Sequence, residues 1–249
     1  MEAFDNIFNP INSEKLLLNL YEFNLIHFVM VQIEKSTMQF LPDLKKHNER
    51  EWFAANRKRY EDARGNFTAF IQETINEITS FDPILKGLEA KSCIYRINRD
   101  IRFSHDKSPY KTQFGAFILR GGNKNMHAYA GYYIHIEPGS CMLSGGAYIP
   151  PSSWLSVIRE KIDEQGDELL RISRNKDFIK FFGEIDGEKL KTAPKGYPKD
   201  HKFIELLKLK SFLATCMVSD EAATKKDYLS WVISGCRAMK PMIDFLNDY

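Results

Sequence analysis

The chain has 249 residues, room for one or two domains, and its 43% hydrophobic and 13% aromatic content is ample for a packed core, which excludes disorder over most of the length. A formal net charge of +2 excludes the strongly basic balance of a dedicated nucleic-acid binder, so any basic site must be local. Cys93, Cys141, Cys216 and Cys236 form no C-x-x-C and have no histidine at ligand spacing. They speak against zinc, no haem pattern accompanies them, and isolated thiols of this kind fit small core residues in a reducing cytoplasm.

Residues 16–33 are apolar but interrupted by Asn19, Glu22, Asn24 and His27, which argues against a membrane span. Glu2 and Asp5 stand where a signal peptide needs basic residues. Residues 1–29 read as an upstream extension or a misplaced start, with Met30 and Met38 available as later starts. Residues 30–249 read as one α+β domain, a split near Pro150 being the alternative. A helix is expected over 37–46, burying Phe40, Leu41 and Leu44. Asn48 then stands as an N-cap, with Glu51 completing a capping box, ahead of a long helix to about Thr79 that Gly65 weakens. Trp52, Phe53, Tyr60, Phe67, Phe70, Ile71, Ile75 and Ile78 hold one face of it. Arg50, Arg57, Lys58, Arg59 and Arg64 interleave with Glu61 and Asp62 on the other, the pattern of a solvated face.

Residues 93–111 are the densest in chemistry. Tyr95, Ile97, Ile101 and Phe103 share one parity, and Arg96, Asn98, Asp100 and Arg102 the other, so the first half reads as a strand with an apolar and a polar face. Arg99 breaks the alternation, which calls for a bulge or for burial with Asp100 or Asp106 as partner. Ser108-Pro109 reads as the start of a helix, with Lys107, Tyr110 and Lys111 crowded at its N-terminus. Arginine forks, two ammonium groups and a helix dipole together favour an anion, phosphate or carboxylate. Arg96, Arg99, Arg102, Lys107, Tyr110 and Lys111 are therefore the candidate ligand-binding residues. Asp100 and Asp106 are the candidates for a general base or a magnesium ligand, in an enzyme acting on a nucleotide or phosphoester. Neighbouring arginines would make them poor bases at neutral pH. Arg/Asp-rich stretches also form internal ion networks that fix a loop and bind nothing, and that alternative stands beside the anion site.

The run Arg96-x-x-Arg99-Asp100-x-Arg102-Phe103-Ser104-x-Asp106-Lys107-x-Pro109-Tyr110-Lys111 resembles the signature of the domain-of-unknown-function 2461 family of bacterial and fungal proteins. The resemblance runs from about residue 38 to near the C-terminus and takes in 48–53, the turn Ile136-Glu137-Pro138-Gly139 and 194–201. It implies no particular activity, substrate or cofactor. His105 falls at an unspecified slot of the pattern, which weakens it as a catalytic candidate.

Three further strands follow, at 113–119, 127–137 and 141–149, joined by glycine-rich turns. With 93–103 they make an antiparallel meander of about four strands over 93–149, flanked by helices on both sides in the chain. His135 and Glu137 share a parity, about 7 Å apart by strand rise, close enough to pair or to hold a metal with a third ligand that is not visible. No Walker, G-x-S-x-G, H-E-x-x-H or G-x-G-x-x-G pattern occurs. Helices are expected from Pro150-Pro151-Ser152 onward, through 176–182, from His201 to about Leu209, and from Asp220 to about Leu246 with a kink at Pro241. An edge strand is expected at 215–218. The loop 194–199 resembles the family's second motif, which makes Lys195, Tyr197 and His201 second-tier site candidates. An anionic small molecule is the expected partner. A nucleic-acid or protein-binding module without catalysis is the alternative, disfavoured for nucleic acid by the low net charge, and no membrane is implicated.

Overall fold

The computed structural model describes residues 31–248, so the expected extension at 1–29 lies outside the described residues. Four strands build one antiparallel sheet in the order β1-β2-β3-β4. They are β1 (Phe114–Ile118), β2 (Gly131–Ile136), β3 (Cys141–Ala147) and β4 (Phe212–Val218). Ile118 pairs with Tyr132, Ile134 with Leu143, and Leu143 with Cys216. Helices supply the rest: α1 (Lys35–Lys46), α2 (Arg50–Ala55), α3 (Arg57–Ile78), α4 (Ala90–Cys93), α5 (Ser152–Ser173), α6 (Lys176–Phe182), α7 (Ile204–Leu207), α8 (Asp220–Ala223) and α9 (Tyr228–Asn247). Residues from Gln32 onward form one compact unit. The fold is α+β.

Strand alternation splits the sheet into two unlike faces. Phe114, Ala116, Ile118, Tyr132, Ile134, Leu143, Phe212 and Ala214 point one way and are buried against α3 and α9. Phe67 of α3 stacks 5.5 Å from Phe114. Close approach of α9 depends on two glycines: a Cβ on Gly145 would collide with Met239, and one on Gly235 with Leu143. Gly115, Phe117, Tyr133, His135, Met142, Ser144, Leu213 and Thr215 point the other way, where no described helix covers them.

Several local expectations give way: the helix expected from Asp220 to about Leu246 is divided between α8 and α9, the one expected from His201 to about Leu209 shortens to α7, and four further points differ. Residues 95–103 form no ladder strand; only single bridges occur there, Ile94 with Ala116 and Asn98 with Tyr110, and the fourth strand of the sheet is β4. The alternation at 95–103 is spent on a loop, in which Ile97 is buried and Phe103 is 94% exposed. No helix begins at Pro109: the chain passes through the bridge at Tyr110 straight into β1. Asn48 does not cap a helix; Glu49 is the N-cap of α2, and the Asn48 amide pairs instead with the backbone of Tyr110, accepting from its N–H and donating to its carbonyl, both at 3.0 Å. Two hydrogen bonds to buried backbone outweigh one to a solvated helix end. The long helix breaks at Asn56 (φ −106°, ψ 19°), whose side chain donates to the Trp52 carbonyl, while Gly65 is helical with open space around it.

Candidate functional site

The loop 98–110 binds its own charges. Its stem is closed by Arg99 N–H to the Pro109 carbonyl, 2.9 Å, and Lys111 N–H to the Ile97 carbonyl, 2.8 Å. Below that, Tyr110 is buried and stacks on Phe53 with ring centroids 4.0 Å apart. Arg99 pairs with Asp106 and donates to Ser104 Oγ at 3.4 Å. Asp106 also accepts from Ser108 N–H (2.9 Å) and Ser108 Oγ (2.6 Å), and these donors with Arg99 hold its carboxyl far below the usual carboxylate range. Arg102 clasps Asp100 through Nε (2.9 Å) and Nη2 (2.7 Å), which depresses the Asp100 carboxyl to about 2. Lys107 donates to the Ile101 carbonyl at 3.0 Å. Arg96 is exposed and Lys111 half-buried, and among the described residues neither forms an ion pair with a carboxylate. Lys111 lies 5.1 Å over the Tyr95 ring, and burial together with the Arg96 charge pushes its pKa below the usual lysine value.

Lys111 also belongs to a second feature. The uncovered sheet face forms a cleft of about 530 Å³ walled by Tyr95, Phe117, Tyr133 and Tyr148, with Met126 and Met142 beside them. Besides the hydroxyls of Tyr95, Tyr133 and Tyr148, its polar side chains are Lys111, Gln113, His135, Ser144 and Thr215. Tyr133 Oη lies 2.9 Å from His135 Nδ1, and His135 Nε2 lies 3.1 Å from Glu137 Oε2. Glu137 accepts a further hydrogen bond from Thr112 Oγ1 at 3.3 Å, and Ser144 and Thr215 share one across β3 and β4 at 2.7 Å. Burial pushes the Tyr133 hydroxyl up to about 12. Gly115 opens the floor: a Cβ there would come within 2.8 Å of Tyr133 Oη.

A model of the family described as "Conserved hypothetical protein (DUF2461)" matches residues 36–245. The chain belongs to that family. Comparison with curated proteins and with solved structures gives no match. In this DUF2461 chain the second-tier residues lie apart from the cleft. His201 Nε2 pairs with Asp163 of α5 at 2.8 Å, Tyr197 meets the His201 ring edge-on at 6.0 Å, and Lys195 is exposed. None of the three lines the cleft. Among the described residues no group of three or more His, Cys, Asp or Glu could hold a metal, and no helix is long and apolar enough to cross a membrane.

Sequence reasoning saw the His135–Glu137 pairing but missed the cleft around it. Tyr95, Phe117, Ser144, Tyr148 and Thr215 are far apart in the chain, and only the register of four strands brings them together. A signal was present in β2, where Tyr133 and His135 put polar groups on a parity opposite Tyr132, Ile134 and Ile136. A second miss is Asp82, 5% exposed, which accepts from Tyr132 Oη at 2.9 Å and lies 3.8 Å from Lys240 Nζ. Burial raises its pKa, with Tyr132 and Lys240 opposing. This cluster joins the turn after α3 to β2 and α9.

Proposed function

We propose that this protein binds a small organic anion, a carboxylate or phosphate carried on an apolar planar body, in the cleft on the uncovered sheet face. One observation carries the reading: a cleft of ligand size, walled by aromatic rings, has a lysine without a carboxylate partner at its edge. Lys111 takes the anion, with Arg96 adding charge nearby; the rings of Tyr95, Tyr133, Phe117 and Tyr148 take the body. In this reading Arg99, Arg102, Lys107, Asp100, Asp106 and Tyr110 shape the loop that presents Lys111. A base or magnesium role for Asp100 or Asp106 finds little support, because each carboxylate is already committed to an arginine. All four thiols are free, which fits a reducing, cytoplasmic setting.

The test is thermal unfolding at low salt with benzoate, phenyl phosphate and inorganic phosphate. A ligand at a hundred times its dissociation constant stabilises by about 2.7 kcal/mol. Phenyl phosphate and benzoate should stabilise more than inorganic phosphate, and Lys111→Met should remove the effect. Stabilisation that survives Lys111→Met but disappears in Arg102→Ala would move the anion to the loop and sink the cleft reading.

A second reading rests on Phe103, which is 94% exposed with the Arg102 guanidinium 5.8 Å from its ring. An exposed ring beside an arginine suits stacking on single-stranded nucleic acid. Such binding would weaken steeply with salt and fail in Phe103→Ala.

A further inference from the structure

Resting on the cleft as a ligand site, the hydrogen bonds along β2 add a chemistry to it. Tyr133 and His135 of β2 and Glu137, one residue past its end, connect in series at 2.9 Å and 3.1 Å. His135 is 7% exposed and has a partner on each ring nitrogen. An ionised carboxylate can only accept, so Glu137 takes its hydrogen from His135 Nε2. In the neutral ring Nδ1 is then the acceptor, and the Tyr133 hydroxyl must donate to it. The Tyr133 oxygen therefore presents lone pairs to the cleft and no hydrogen. A ligand placed there is met by an acceptor whose own proton already points at a base.

We propose that Tyr133, His135 and Glu137 form a proton-accepting relay that deprotonates a weakly acidic O–H or N–H of the bound ligand, the substrate class being planar organic acids that carry such a group. The ligand's X–H bond breaks and its proton joins the Tyr133 oxygen. At the same time the Tyr133 O–H proton passes to His135 Nδ1. The products are the ligand's conjugate base and an imidazolium held against the Glu137 carboxylate; no other bond changes and no co-reactant is required. Run backwards, the relay returns the proton, so one chain serves as base and then as acid. Tyr133 touches the ligand; His135 and Glu137 act through it. The Tyr133 hydroxyl, pushed up by burial, hands protons on without storing charge. The other polar groups about the relay are Tyr95 ahead of the loop, Lys111, Thr112 and Gln113 ahead of β1, Ser144 of β3 opposite Tyr133, Tyr148 after β3, and Thr215 of β4. Among the described residues Lys111 is the only lysine or arginine lining the cleft; already protonated, it favours the product anion without accepting the proton.

The experiment uses the full chain and two probes: 4-hydroxy-3-nitrobenzoate, which turns yellow when its hydroxyl ionises, and 3-nitrobenzoate, which lacks the hydroxyl. Absorbance is read at saturation, so that weaker binding does not imitate lost ionisation. The pH is set one unit below the free hydroxyl's pKa, where about one tenth of the free probe is ionised. Bound to the wild type it should be at least about half ionised, a downward shift of about one unit or more. Tyr133→Phe and Glu137→Gln should each abolish that shift. Glu137→Gln keeps an acceptor for Nε2 and removes only the charge that balances the imidazolium, so a structural role for Glu137 would leave the shift intact. A bound probe that stays neutral overturns the relay while 3-nitrobenzoate binding keeps the cleft. Ionisation persisting in both variants also overturns it and assigns the shift to Lys111. Failure of both probes to bind overturns the cleft reading and the relay together.

Discussion

The loop 98–110 and the cleft on the open sheet face share a border at Lys111, and they use polar groups in opposite ways. In the loop both acids are spent on arginines, Asp100 on Arg102 and Asp106 on Arg99, and Lys107 donates to the Ile101 carbonyl. The groups are mostly exposed, and their hydrogen-bonding capacity is spent on the shape of the loop. In the cleft few polar atoms stand among rings, and Lys111 lacks a carboxylate partner there. Density of charge here marks where the chain folds back on itself, whereas the reading proposed above rests on Lys111, whose charge meets no carboxylate among the described residues.

That contrast breaks first at Asn48. Its amide makes two 3.0 Å hydrogen bonds to the Tyr110 backbone at the root of the loop. Asn48→Ala leaves a buried N–H and a buried carbonyl short of partners and should cost about 2–4 kcal/mol. Urea unfolding measures it; a midpoint equal to wild type would mean that the Phe53–Tyr110 stack alone holds the stem.

Gly115→Ala strikes the cleft instead. The new Cβ would lie 2.8 Å from Tyr133 Oη and 3.3 Å from its Cε2, so the ring must swing away from His135. Overpacking of this kind costs about 1–3 kcal/mol. Thermal unfolding together with the His135 ring signals in NMR reads both effects. Unchanged His135 signals would show that Tyr133 accommodates the methyl without leaving its partner.

How far each region could be read from the sequence follows the same division. Helix faces came through: Phe40, Leu41 and Leu44, and the apolar row from Phe53 to Ile78, are buried as their spacing implied, while Trp52, which opened that row, is only half-buried. The strands at 114–118, 131–136 and 141–147 lie within the expected segments. The strand expected at 93–103 failed because period-2 polarity is also what a loop shows when alternate residues pair with each other; Asp100 clasping Arg102 is such a pair. Asn48 was misjudged because capping is a local rule, whereas its partner Tyr110 lies 62 residues away. The cleft was illegible for a similar reason: His135 faces Gly115 across one strand pair and Met142 across the next, and register is a property of the assembled sheet.

Lys111→Met separates binding from stability. It should weaken benzoate or phenyl phosphate binding by about ten- to a hundredfold, about 1.4–2.7 kcal/mol, by calorimetry. Stability should hold or rise slightly, because the cation sits near Arg96 and partly away from water. The sign with pH follows. The Lys111 pKa is lowered on folding, so the native state binds fewer protons there, and the cost of the charge is present at neutral pH and fades as pH climbs past the usual lysine value. Any gain of the variant over wild type should therefore shrink in alkali.

The smallest effect is expected where the sequence is most charged. Asp100 and Arg102 form a forked pair on the exposed part of the loop, and water and salt screen it from both sides. Asp100 is depressed to about 2 in the folded protein, below an ordinary carboxylate. Its ionised form is thus tied to the native state, and whatever it contributes is present above the usual carboxylate range and lost as pH falls through about 2. Asp100→Asn should differ from wild type only marginally near neutral pH, should converge with it in acid, and should lose even that margin at high salt. Thermal unfolding across pH and salt reads all three. A large neutral-pH loss that salt leaves untouched would mean that the pair braces something beyond its own turn. Loss of benzoate binding in the same variant would carry the anion out of the cleft and into the loop.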